Sequence, residues 1–211
     1  MIVAIDGLAG SGKGTLARKL AIHLRLPHLD SGKLYRQVAL LADDLGIDPS
    51  QTERLAALLE KLDVSDLDNP RLSSGRAGAL AARYSKLSLV RDKISSLIRN
   101  FPRSGGGVVD GRDIGTVVLP DANIKLYITA SPEVRAQRRV AELRAIGHEV
   151  SFNSILDDLV ERDRADIERT IAPLRPASDA HLLDTTHLSV DATFNAALAI
   201  IEAAELSSKR G

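Results

Sequence analysis

The chain has 211 residues, enough for one domain with a buried core and a mobile appendage. Its 28 basic and 28 acidic residues cancel, so no global field draws it to nucleic acid or to an anionic membrane, and any anion site must be local. The absence of cysteine excludes disulfides and thiolate metal sites, and 3% aromatic content argues against a base-stacking platform. The five histidines show no metal-ligand spacing. "MIVAIDG" lacks the basic start and long apolar core of a signal peptide, and no apolar stretch is long enough to span a bilayer, so a cytoplasmic protein is expected.

In chain order, Ile2–Ile5 is apolar on both faces and reads as a buried strand. Lys13–Leu24 carries Leu16, Ala17, Leu20, Ala21 and Leu24 on one helical face. Pro27–Leu29 reads as a short strand and Gly32–Leu45 as a helix. "PSQTERLAALLEKL" predicts a helix started by Pro49 and Ser50. Val64 to Gly78 is polar, broken by Pro70 and Gly75, and reads as a loop. Ala79–Phe101 returns to helix in two pieces, and "RSGGG" marks a turn before the strand at Val108-Val109. "IKLYIT" is the next strand. Ser131 caps and Pro132 opens the helix after it. Phe152–Arg169 is a charged helix, "HLLD" a last strand, Val190–Leu206 a closing helix, and "SSKRG" a frayed tail.

Strands alternating with helices imply an α/β protein with a parallel, five-stranded sheet covered on both sides. Ligands of such sheets sit outside the carboxyl ends of the strands, where Asp6, Asp30, Asp110 and Thr129 are expected. "GLAGSGKGT" (Gly7, Leu8, Ala9, Gly10, Ser11, Gly12, Lys13, Gly14 and Thr15) follows a strand and opens a helix, the context a phosphate-binding loop requires. Its glycines let successive N–H groups point at phosphate oxygens, the helix dipole adds positive potential, and Lys13 reaches the β- and γ-phosphates. The commonest form of the motif has Ser or Thr directly after the lysine to hold magnesium. Here that position is Gly14 and the hydroxyl is Thr15, the form found in nucleoside monophosphate kinases. No Asn-Lys-x-Asp guanine-reading motif occurs.

"LDSGKLYRQ" offers Asp30 or Ser31 as a helix cap, and Arg36 as a bidentate phosphate ligand. By spacing alone Arg91 reads as a surface arginine paired with a nearby acid. "DGRD" at Asp110–Asp113 holds an arginine between carboxylates at a strand end, which equally suits a salt-linked turn.

The chain resembles the bacterial cytidylate kinases over nearly its whole length, through "GLAGSGKGT", "LDSGKLYR", "VVDGRDIGTVVLPDANIKLYITAS", "VRAQRR", "ERDRADIERTIAPLRPASDA" and "LLDTTHLS". The resemblance implies a three-layer P-loop kinase fold in one domain, with a core (1–30, 102–150 and 177–206), a monophosphate-binding region (31–101) and a helical lid (about 151–176). It implies transfer of the ATP γ-phosphoryl group to CMP or dCMP with Mg2+, with Thr15 near the metal and Asp110 orienting its water. Arg112 and Arg36 would grip the acceptor phosphate. Asp113 would accept a hydrogen bond from the cytosine amino group, and Ser31 and Arg91 would complete the base contacts. Arg162 and Arg169 of the lid would meet phosphates, and Asp166 the acceptor ribose. Arg138 is a candidate ATP-phosphate contact, with Arg135 and Arg139 on the same helix. A carboxylate facing C4 attracts the amine of cytosine and repels the carbonyl of uracil. The β-rich insert of many family members looks trimmed here, and Ala165 interrupts the arginine-dense lid. Another P-loop kinase acting on UMP, AMP or shikimate, or an ATP-binding regulator, are the alternatives, and a monomer without nucleic-acid or membrane partners is expected.

Overall fold

The computed structural model describes residues 1–64, 67–101 and 105–208, with side chains to 206. The turn at "RSGGG" and the tail "SSKRG" fall partly outside the described residues, as do two positions of the loop predicted at Val64–Gly78. The chain forms two compact units, Met1–His28 with Ser104–Gly211, and Leu29–Arg103.

The sheet has five strands, β1 (Ile2–Gly7), β2 (His28–Asp30), β3 (Gly107–Gly111), β4 (Ile124–Thr129) and β5 (His181–Asp184), in the order β2-β3-β1-β4-β5. β1 pairs in parallel with β3 and β4, and β4 with β5. It is therefore a central strand, and its two apolar faces follow from that position. Side chains alternate across the sheet. Val3 and Ile5 of β1, with Ile124, Leu126 and Ile128 of β4, pack under Leu16, Ala17 and Leu20 of α1 (Lys13–Leu24) and Ala197 and Ile201 of α8 (Val190–Ser208). Burying each Val, Leu or Ile of this set is worth about 1.5–3 kcal/mol. The opposite alternation sends Ala4 and Asp6 of β1, and Lys125 and Tyr127 of β4, to the other face. Asp6 there meets the amides of Ile114–Val118, a single wide turn with π-helical geometry that directly follows β3.

α6 (Pro132–Ala145) begins as expected: Ser131 accepts from the Val134 N–H and Pro132 sits in the first turn. It packs with α7 (Phe152–Glu168) through Ala136 against Leu159, with Phe152, Ile155 and Leu156 around them.

In the second unit lie α2 (Ser31–Asp44), α3 (Thr52–Glu60), α4 (Gly75–Tyr84) and α5 (Ser88–Asn100). Two readings need correction here. Pro49 and Ser50 do not cap α3. Ser50 instead folds back on Asp48, and Gln51 stands at the N-cap without a side-chain bond. The stretch predicted as a loop contains a 3₁₀ turn at Pro70–Ser73 and the start of α4. Glycines at 75 and 78 hid that helix. The Ser74 hydroxyl caps it by accepting from the Ala77 N–H, and Ala77, Ala81 and Tyr84 give it a buried face. Among the described residues of this region there is no β-rich insert.

Candidate active site

The glycine-rich loop is built by the end of a central strand. Gly7 (φ 151°) pairs beside Ile128, and a Cβ there would lie 2.0 Å from the Ile128 carbonyl oxygen. Gly10 (φ 73°) passes 3.3 Å, measured from a hypothetical Cβ, from Arg135 Cβ. A side chain is excluded at Gly7 and strained at Gly10, where φ is left-handed and the space is tight. The helix that follows has Gly12 at its N-cap with no side-chain cap and no acidic residue in its first turn. Its leading N–H groups and dipole are thus suited to an anion. Lys13 Nζ donates to the Leu8 carbonyl within the loop at 3.5 Å. Ser11 Oγ is buried without a hydrogen-bond partner.

Three anchors hold this loop. Arg135 is 1% exposed. Its guanidinium donates to the Ala9 carbonyl of the loop (3.0 Å) and the Ala130 carbonyl (2.9 Å), and pairs with Asp163 of α7 at 2.6 Å. The Thr185 hydroxyl lies 3.0 Å from the Ser11 carbonyl and 3.1 Å from that of Thr129. Arg138 binds Thr185 through both its hydroxyl (3.0 Å) and its carbonyl (2.7 Å). Arg139, by contrast, pairs with Glu142 on the surface. Arg135, Arg138 and Arg139, three of the four arginines of α6 and indistinguishable by spacing, thus have three different environments.

The carboxyl end of β3 carries the acceptor candidates. Strands β1 and β3 each run one residue past the expected aspartate, to Gly7 and Gly111. Asp110 Oδ1 is 2.7 Å from His28 Nε2, and Oδ2 is 3.6 Å from where a Gly14 Cβ would stand, so this carboxylate lies against the loop next to Thr15. Arg112 Nε donates to Asp166 of α7 at 2.8 Å, and Arg169 at the C-cap of α7 approaches Asp113 at 3.6 Å. The structure thereby brings together Arg112, Asp113, Asp166 and Arg169 in alternating charge. Leu174 N–H bonds to the Asp166 carbonyl, tying the chain beyond α7 to the same place. Arg162, on α7, is exposed, as is Thr15.

In the second unit Asp30, rather than Ser31, caps α2 by accepting from the Lys33 N–H. Ser31 is buried at the first position of that helix. Arg36 donates to the Leu72 carbonyl at 3.2 Å. Arg91 is not a surface arginine: it is 5% exposed and stands over the Tyr35 ring, 5.9 Å from its centroid. An arginine buried against an aromatic is held in one orientation, as a binding group must be.

Asp6 was the residue with the least signal. Burial pushes its carboxyl up to about 6, against the hydrogen bonds from Gly115 and Ile114, with Asp113 adding to the rise and Arg112 opposing it. The folded value stands above the ordinary 3.8. The stability Asp6 contributes is therefore complete below about pH 4 and lost as pH rises through 6, on the order of 3 kcal/mol for a shift of about two units. The non-ionising Asp6→Asn variant is expected to be at its greatest disadvantage in acid. Urea unfolding should show the gap to the parent protein shrinking between about pH 4 and pH 7.

A phosphate loop between a central parallel strand and the next helix, an arginine-carboxylate cluster at the neighbouring strand end and a helical cover over both define a P-loop small-molecule kinase. A gluconokinase from Sinorhizobium meliloti, 15% identical, shares the fold with a TM-score of 0.53 over 100% of this chain and 97% of that one. Residues 3–203 match the family model for cytidylate kinase, and the chain belongs to that family. A cytidylate kinase of Methylocella silvestris is 47% identical over 212 residues, covering 100% of this chain and 98% of the relative. One from Cereibacter sphaeroides is 50% identical over 210 residues, covering 99% and 97%.

Proposed function

We propose that this chain transfers the γ-phosphoryl group of ATP to CMP or dCMP, giving ADP and CDP or dCDP, as its membership of the cytidylate kinase family implies. The observation that carries the acceptor side is the Arg112–Asp113 pair at the end of β3, met by Asp166 and Arg169. Gly7 to Thr15 hold the ATP phosphates, with Arg138 beside them. Arg112 and Arg36 bind the acceptor phosphate, Ser31, Arg91 and Asp113 the base, and Asp166 the ribose. Residues 31–101 serve as the acceptor-binding region and about 151–176 as the lid.

An acceptor phosphate oxygen attacks the γ-phosphorus, the bond from that phosphorus to the β–γ bridging oxygen breaks, and ADP leaves. The attacking group is already an oxyanion, so no general base is needed, and catalysis is positioning plus neutralisation of charge. Lys13, the loop N–H groups, Arg162 and Arg169 supply the fixed positive charge. The Thr15 hydroxyl and the Asp110 carboxylate against the loop are hard oxygen donors of the kind Mg2+ takes. Mg2+ held there would supply charge neutralisation at the transferring phosphates. Lid closure keeps water from the γ-phosphate. The reading includes a monomer working in the cytoplasm. Among the described residues no helix is long and apolar enough to cross a membrane.

The test is ADP release across CMP, dCMP, UMP, AMP and shikimate. CMP and dCMP should exceed UMP by roughly a hundredfold or more, the size of a buried polar mismatch. Arg112→Ala should lose about a hundredfold in kcat/KM for CMP with the KM for ATP nearly unchanged. Preference for AMP or shikimate, or ATP binding without acceptor-stimulated turnover, would refute the reading.

A further inference from the structure

Asp113 occupies the N-cap position of the wide turn Ile114–Val118, yet its side chain makes no capping hydrogen bond. An aspartate at an N-cap ordinarily spends its carboxylate on the first amides of the turn. Here a different carboxylate does so. Asp6, 5% exposed on β1, accepts from the Ile114 N–H through Oδ1 and from the Gly115 N–H through Oδ2, each at 2.8 Å. The Asp113 carboxylate is left facing Arg169 at 3.6 Å. Asp113 does anchor the turn from its backbone, where its carbonyl accepts from Val117 and Val118.

We propose that Asp6 is a positioning residue for acceptor recognition: by capping the turn that begins at Ile114, it fixes the backbone that carries Arg112 and Asp113. This rests on the assignment of Arg112 and Asp113 to the acceptor. Asp6 also immediately precedes Gly7, so one buried side chain joins the root of the phosphate loop to the acceptor-reading turn. Both of its oxygens are used, so the geometry requires a carboxylate rather than an amide. An asparagine would present one oxygen and one NH2 group, and the NH2 would face a backbone N–H donor.

Asp6→Asn is therefore expected to displace the turn. A misplacement of about 1 Å costs on the order of a hundredfold in reactivity. The KM for CMP should rise about tenfold or more, and the ratio of CMP to UMP efficiency should fall. The KM for ATP should stay within about twofold. A role confined to holding the fold would lower the melting temperature without splitting the two KM values, and that result, or a parallel change in both, overturns the proposal. If Asp6→Asn does not fold, Asp6→Ser addresses the same contact, because a shorter side chain with one oxygen replaces two carboxylate oxygens placed on separate amides. The same KM split is expected, and its absence is equally decisive. Arg112→Ala, measured alongside, separates the two ideas. If that variant keeps its CMP efficiency, the acceptor assignment itself fails. If it loses CMP use while neither Asp6 variant splits the KM values, only the role of Asp6 falls.

Discussion

Lys13→Ala is expected to lose about 10²- to 10³-fold in kcat at saturating ATP and CMP while folding normally. The loop needs no help from this side chain to keep its shape. Gly7 and Gly10 fix the backbone, Arg135 holds the Ala9 carbonyl, and the Thr185 hydroxyl approaches the Ser11 carbonyl. The hydrogen bond from Lys13 to Leu8 O, at the start of α1, is long at 3.5 Å. On the proposed function, what the substitution removes is the charge that follows the γ-phosphoryl group between oxygens. Lys13→Arg should fare little better, because a planar fork on a longer stem replaces a compact point charge in a tight loop. The measurement is steady-state ADP release, with circular dichroism as the control for folding. A variant that kept its kcat and showed only a raised KM for ATP would reassign Lys13 to ground-state binding.

That the loop could be found from sequence, and the anchors around it could not, has a physical cause. Glycine spacing, the lysine and the strand-to-helix context are local, and each is imposed by the backbone path itself. The bounds of α1, β4 and β5 coincide with the predicted ones; for α1 and β4 this is because a 3.6-residue stripe and a continuous apolar run report burial, whereas β5 is mostly exposed. α6 follows from a Ser cap and a Pro first turn. A charged residue in the core leaves no such trace. Arg135 and Asp163 are 28 positions apart on two helices, and neither periodicity nor composition says that one will bury the other. Arg91 read as a surface residue for the same reason, since its aromatic neighbour is on a different helix. The wide turn at Ile114–Val118 was invisible because its first amides are satisfied by a side chain 108 residues earlier in the chain. A signal did exist for Asp6: a carboxylate in an apolar strand, at a position whose neighbours are buried, must find donors.

The candidate acceptor residues divide in a similar way. Arg112 and Asp113 stood out through "DGRD", which alone suits a salt-linked turn as well as a binding pair. The structure gives those charges partners from α7 and its C-cap, Asp166 and Arg169. A phosphate entering at Arg112 would compete with Asp166 for the guanidinium, and an amine at Asp113 would compete with Arg169. On that reading ligand charges would replace those of Asp166 and Arg169 at the same atoms, which suits the proposed lid.

The largest stability effect is expected at Arg135. Arg135→Ala removes the donors to the Ala9 and Ala130 carbonyls and strips Asp163 of its ion pair. Asp163 is 9% exposed, and its Oδ1 already has no hydrogen-bond partner, so the carboxylate would be left buried and uncompensated. Breaking a buried pair from one side costs about 3–5 kcal/mol. For a chain of this length that lowers the melting temperature by roughly 10 °C or more. Asp163→Ala should cost less, because Arg135 keeps both carbonyl acceptors. Replacing both partners, as Arg135→Met with Asp163→Leu, removes the stranded charge and should recover most of the lost stability. It should not recover kcat, because the Ala9 carbonyl in the phosphate loop would still lack its donor. Thermal and urea unfolding of the three variants, with ADP release on each, separates these effects. A double variant no more stable than Arg135→Ala would show that the penalty lies in the lost carbonyl contacts rather than in the buried carboxylate.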